Sequence, residues 1–194
     1  MIQVKPNDWL IVVDYQNDFI PPDGALAVPG GDKLVGRINE LLVKFPRALA
    51  TRDWHPKNHY SFQKNGGRWP VHCVQNTPGA EFHPELNVEE LDHEFKAGSD
   101  PEDRSDYNGF SGENHEEKGM AEILRNEGAE TLFFTGLAQE YCVKETAIGG
   151  LEEGFSVVLL EDCTEPVDEE DGEKAVREIR SSGGKVISST DLEF

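Results

Sequence analysis

The chain is short of positive charge. It has 18 Lys and Arg against 38 Asp and Glu over 194 residues, a formal net charge of −20. Phosphate backbones and anionic membrane surfaces repel such a chain, and no local basic cluster offsets that repulsion. Neither nucleic acid nor a membrane is expected as a partner. Cysteine is also scarce: Cys73, Cys142 and Cys163 form an odd, sparse set. That argues against a disulfide framework and for the reduced thiols of a cytoplasm. No stretch approaches the ~20 apolar residues that span a bilayer. The opening residues, Met1 to Asp8, hold no apolar core of signal-peptide length. The expectation is a soluble cytoplasmic protein with an acidic, solvated surface. Glu161–Glu173 illustrates it, with eight acids and no Lys or Arg.

What is present is an alternation of short apolar runs and helical patterns. Trp9–Val13, Arg47–Thr51, His93–Ala97, Thr131–Thr135, Phe155–Leu160 and Lys185–Ser188 read as six strands. Leu34–Val43, Glu116–Gly128, Val143–Glu153 and Glu169–Ser181 carry apolar residues at helical spacing. This rhythm predicts an α/β fold: three α/β/α layers around a six-stranded, mainly parallel, Rossmann-like sheet. The length fits one domain, residues 1–194. Residues 51–92 break the rhythm, with four of the six His and two of the three Trp, and read as a functional insertion.

In open α/β sheets ligands bind beyond the carboxyl ends of the strands. Asp14, Asp53, Lys96 and Cys142 all fall at or just after such ends. Cys142 stands at the start of a predicted helix, where backbone N–H groups favour a thiolate; its bland alternative is a small buried hydrophobe. Asp14 is placed to take the thiol proton, and Lys96 to tune both charges or to be an ordinary surface Lys. Asp53 and His55 alternate on an extended segment and therefore share one side. With His59, and with His72 folding back, they resemble a set of metal ligands suited to Zn²⁺, Fe²⁺ or Mn²⁺.

Several motifs then occur in one order. They are Asp14-Tyr15-Gln16-Asn17-Asp18-Phe19, Gly24–Gly30 (GALAVPG), Asp53–His59 (DWHPKNH), Trp69–Cys73 (WPVHC), Thr77–Ala80 (TPGA), and Gly136-Leu137-Ala138 leading to Cys142-Val143. From about Val12 to about Asp162 the chain resembles the nicotinamidases and pyrazinamidases of the isochorismatase-like cysteine hydrolases. The resemblance implies that hydrolase fold, with a metal-binding insertion at about 51–92. It implies a triad of Cys142, Asp14 and Lys96, and metal ligands Asp53, His55 and His72, with His59 a fourth ligand or a residue behind them. It further implies a cis peptide between Leu137 and Ala138, an oxyanion hole from the N–H groups of Ala138 and Cys142, and a pocket wall of Phe19, Trp69 and Tyr107. The implied activity is hydrolysis of nicotinamide to nicotinate and ammonia in a divalent-metal enzyme, most simply a zinc one. Pyrazinamide is expected as a second substrate, and a homo-oligomer is left open. Two other readings are a metal-independent amidase or ureido-hydrolase and a non-catalytic metal or redox binding protein. Two departures stand out: Gln139-Glu140, where many relatives have Thr-Asp, and a longer, more acidic loop at Gly98–Asp106.

Overall fold

A computed structural model gives the fold and describes residues 1–102, 104, 107–116 and 118–194. The first long strand, β2 (Asp8–Val13), is buried along its whole length, as its unbroken apolar run predicts. β1 (Ile2–Gln3) precedes it. After α1 (Val35–Lys44) come β3 (Arg47–Asp53), β4 (His93–Ala97), α2 (Met120–Asn126) and β5 (Thr131–Gly136). Then follow α3 (Lys144–Glu152), β6 (Ser156–Thr164), α4 (Glu169–Ser181), β7 (Lys185–Ile187) and β8 (Leu192–Glu193).

Six strands pair in the order β4-β3-β2-β5-β6-β7, and every pairing is parallel. Alternate side chains feed two cores. Leu10 and Val12 of β2 pack with Ile38, Leu41 and Leu42 of α1. Trp9, Ile11 and Val13 face the other way, onto Met120 and Leu124 of α2, Ala147 of α3 and Val176 and Ile179 of α4. This is the expected three-layer α/β/α arrangement around a six-stranded parallel sheet. The chain leaves β2 toward one side and β5 toward the other. Between these neighbours the strand order reverses, and a crevice opens at their carboxyl ends.

The differences from expectation have local causes. β6 runs past Leu160 to Thr164 across a register shift against β5, which turns Glu161 and Asp162 outward. α2 begins at Met120 because the preceding Glu113 and Gly119 bridge to each other instead. The parallel pairing of β1 with β8 was not anticipated, since two-residue strands carry no periodicity. Residues 54–92 form short helical turns and irregular chain. No helix among the described residues is long and apolar enough to cross a membrane.

Gly136 makes the crevice possible. It pairs with Val13 at the end of β5 with φ +109°, and a Cβ there would lie 2.1 Å from the Val13 carbonyl oxygen. Gly136→Ala meets both a backbone clash and a left-handed conformation. It is expected to cost at least about 2 kcal/mol, read as a lower denaturant midpoint at unchanged m-value.

Candidate active site

Asp14 is the first residue beyond β2. It has φ +47°, a conformation that side chains other than glycine rarely adopt. The turn lets its backbone N–H reach the Thr51 carbonyl at 3.1 Å. Its carboxylate accepts from Thr51 Oγ1 at 2.7 Å and shares a hydrogen bond with the Cys142 thiol. Burial first, and the charge of Asp53 second, push the Asp14 carboxyl up to about 7. A carboxyl so poised can both take and return a proton near neutral pH.

Cys142 follows β5 in the turn Gln139–Val143, which is kinked at Tyr141 (φ −113°, ψ −106°) and runs into α3. The sequence expectation of a thiol at a helix start therefore holds. The thiol is buried and lies within 4.8 Å of carboxylate oxygens of both Asp14 and Asp53. The Leu137–Ala138 peptide is cis, and Ala138 and Cys142 both line the pocket over this group. The other two thiols differ: burial pushes Cys163 up to about 12 and Cys73 well above the ordinary value.

The pocket wall includes Phe19, Trp69 and Tyr107, as anticipated, together with Tyr141 and Val167. Trp69 Nε1 donates to the Tyr107 hydroxyl at 2.6 Å. The Tyr141 ring meets Trp69 edge-on at 5.1 Å. These contacts stand aromatic planes around a slot above the thiol.

Asp53, His55 and His72 offer one ligand atom each, all within 4.8 Å of one another and all buried. His55 Nδ1 bonds the Gly98 carbonyl at 3.1 Å, and His72 Nδ1 the Pro70 carbonyl at 2.8 Å. A carbonyl only accepts, so each Nδ1 carries a proton and each Nε2 is left for the cluster, donating to a carboxylate when it bears a proton and offering a lone pair to a cation when it does not. Those Nε2 atoms face Asp53 Oδ2 at 3.2 and 3.7 Å. Burial would push the Asp53 carboxyl up, but the two imidazoles together hold it well below the usual carboxylate range. Its other oxygen, Oδ1, is buried without a hydrogen-bond donor among the described residues. Two oriented imidazoles, a carboxylate and an unsatisfied oxygen fit a divalent cation. His59 stacks on His55 at 4.1 Å and bonds Ser61 Oγ through Nδ1 at 2.8 Å. It stands beside the three-residue cluster rather than within it.

Lys96 is not brought to the thiol. It pairs in register with Arg52, and its ammonium lies 4.4 Å over the Trp54 ring and 3.6 Å from Glu94 Oε1. Sequence reasoning did not assign Thr51 or Tyr141 to the site, although Thr51 ends an expected strand and Tyr141 adjoins Cys142. It noted Glu140 only as a departure from the relatives. Glu140 accepts from the Val167 and Asp168 N–H groups at 2.9 and 3.0 Å, so this departure ties the loop bearing Val167 to the cysteine turn. Of the acidic loop Gly98–Asp106, residues 103, 105 and 106 lie outside those described.

Comparison with known proteins agrees with this geometry. A nicotinamidase of Acinetobacter baylyi is 34% identical over 204 residues, spanning 96% of this chain and 94% of the relative. The structure of PnC1 from L. infantum in complex with nicotinate superposes with a TM-score of 0.92 at 36% identity, covering 99% of this chain and 98% of that one. The pyrazinamidase of Pyrococcus horikoshii in complex with zinc gives 0.84 at 44% identity, over 94% and 99%. Residues 8–191 match the Isochorismatase domain model. With nearly its whole length inside that model, the chain belongs to the isochorismatase family.

Proposed function

We infer that this chain is a nicotinamidase, hydrolysing the carboxamide of nicotinamide to nicotinate and ammonia through a thioester on Cys142. One observation carries the reading: a buried carboxyl near pKa 7 bonds a buried thiol beneath an aromatic slot. The named activities of the similar proteins support it.

In the proposed cycle Asp14 takes the Cys142 proton, and the thiolate attacks the carboxamide carbon. The Ala138 and Cys142 N–H groups receive the oxyanion. Asp14 returns the proton to the amide nitrogen as the C–N bond breaks, and ammonia leaves. Asp14 then takes a proton from water as it attacks the thioester carbon. The C–S bond breaks, nicotinate departs, and the sulfur regains a proton. Phe19, Trp69 and Tyr107 hold the flat ring. Asp53, His55 and His72 would hold a divalent ion, with zinc favoured by the ligand chemistry and by the zinc-bound pyrazinamidase. Bound there, the ion supplies a Lewis-acid point for the ring nitrogen, which orients the amide. We keep Lys96 in the catalytic set on the sequence resemblance alone. Pyrazinamide, a ring of the same shape, is a second substrate in this reading. Three separate thiols fit a reducing cytoplasm.

Three outcomes follow. In an ammonia-release assay Cys142→Ala loses at least about a thousandfold in kcat while keeping its metal, and turnover like the wild type's would sink the nucleophile assignment. Lys96→Met loses at least about tenfold; an unchanged rate leaves Lys96 to its Trp54 and Glu94 contacts. Chelation lowers kcat/KM by at least about tenfold, and Zn²⁺ restores it. A metal-free protein of full activity would point to a metal-independent amidase instead.

A fourth outcome is a stability one. Because folding raises the Asp14 pKa, its contribution to stability is complete below the unfolded value of 3.8 and is lost as pH rises through about 7. Metal-free Asp14→Asn escapes that loss. At pH 8 its thermal midpoint should exceed that of the metal-free wild type by at least about 2–4 °C, roughly 1 kcal/mol at this size. The gap should close toward pH 4.

A further inference from the structure

Where β2 ends, β3 runs on. The last rungs between them are Val13 with Thr51 and the Asp14 N–H on the Thr51 carbonyl. The chain then turns away at Asp14. In a parallel sheet the N–H and C=O of one residue point to the same neighbour. The next such pair on this side of β3 belongs to Asp53, and it has lost its strand partner. An unpaired buried N–H or C=O is costly.

Gln16 fills the gap with its side chain. The residue is fully buried. Its Oε1 accepts from the Asp53 N–H at 2.9 Å, and its Nε2 donates to the Asp53 carbonyl at 2.8 Å. The second Nε2 hydrogen goes to the Ala80 carbonyl at 2.9 Å. Only this orientation of the amide satisfies all three groups, because an N–H must meet the oxygen and two carbonyls must meet the nitrogen. We propose that Gln16 is a positioning residue for the metal: it supplies the missing rung of β3 and so fixes the Asp53 backbone, from which the carboxylate faces His55 and His72. The proposal rests on the reading of Asp53, His55 and His72 as metal ligands. It also links the two acids of the site, since Gln16 N–H donates to the Asp14 carbonyl at 2.8 Å.

The test is Co²⁺ binding by the purified protein, followed by visible absorption, with Zn²⁺ competition for affinity. Gln16→Met keeps the volume and loses all three bonds. Gln16→Glu keeps the acceptor and sets a charge against two carbonyls. Both are expected to weaken Co²⁺ binding by about 10–100-fold and to alter the absorption band, which a loss of general stability would not do in a folded variant. Asn17→Ala, whose amide bonds only the Pro78 carbonyl in an exposed position, should change neither. Asp53→Ala separates the two readings. If Asp53→Ala binds Co²⁺ like the wild type, the ligand assignment fails. If it loses the ion while folded Gln16 variants keep wild-type affinity and band, the role of Gln16 is overturned. Should the variants not fold, the wild type decides: its Gln16 side-chain amide signal should exchange slowly and move when Zn²⁺ is added. A signal that exchanges fast or does not move overturns the proposal.

Discussion

Two carboxylates lie side by side, both buried from bulk solvent. Asp14 and Asp53 are 3% and 5% exposed, and their oxygens lie within 4.8 Å of each other and of the Cys142 sulfur. Two such charges cannot both go uncompensated in a low-dielectric interior. The surroundings divide their fates. Asp53 receives the imidazoles of His55 and His72 and stays ionised. Asp14 receives a hydroxyl and a thiol, and its carboxyl is pushed toward neutrality. In the proposed function, a cation beside Asp53 and a proton traded between Asp14 and Cys142 would be two answers to one electrostatic problem.

The scaffold was largely readable because burial on both faces leaves a clear mark. Val12 and Val13 face opposite cores, so β2 must be apolar on both faces, and from Trp9 to Val13 it is. Glu169–Ser181 buries Ala175, Val176 and Ile179 on one stripe, and that spacing is visible in the residues themselves. What escaped notice was decided by contacts between distant segments. The β1–β8 pair joins residues 190 positions apart with two residues per strand. The extension of β6 depends on its register against β5.

The candidate site divides the same way. Asp14, Asp53 and Cys142 could be placed near one another from the sequence because strand ends are fixed by the fold, and the structure brings them together. His72 entered the candidate metal set as a residue that would have to fold back, since nothing local says that Trp69–Cys73 returns to Asp53; the fold-back itself is set by tertiary contacts. Lys96 stands apart from Asp14, Asp53 and Cys142 in the structure. Position along the strand was right, but the side chain shares a face with Arg52, whose guanidinium also pairs with Glu94 at 2.7 Å. Thr51 and Gln16 had no signal of their own. Their value lies in which backbone and carboxylate atoms they meet, and those partners lie 37 residues away.

The Trp69–Tyr107 hydrogen bond has a consequence for discrimination. An indole has a single N–H donor, and this one is spent on the neighbouring phenol. The wall therefore turns π faces and ring edges to its occupant and reserves no indole donor for a particular ring atom. As the substrate wall of the proposed function, it would sort by thickness and flatness. Exchanging a ring carbon for nitrogen alters neither, so on this wall tolerance of diazines is a matter of shape, and a puckered saturated ring of equal mass meets the barrier.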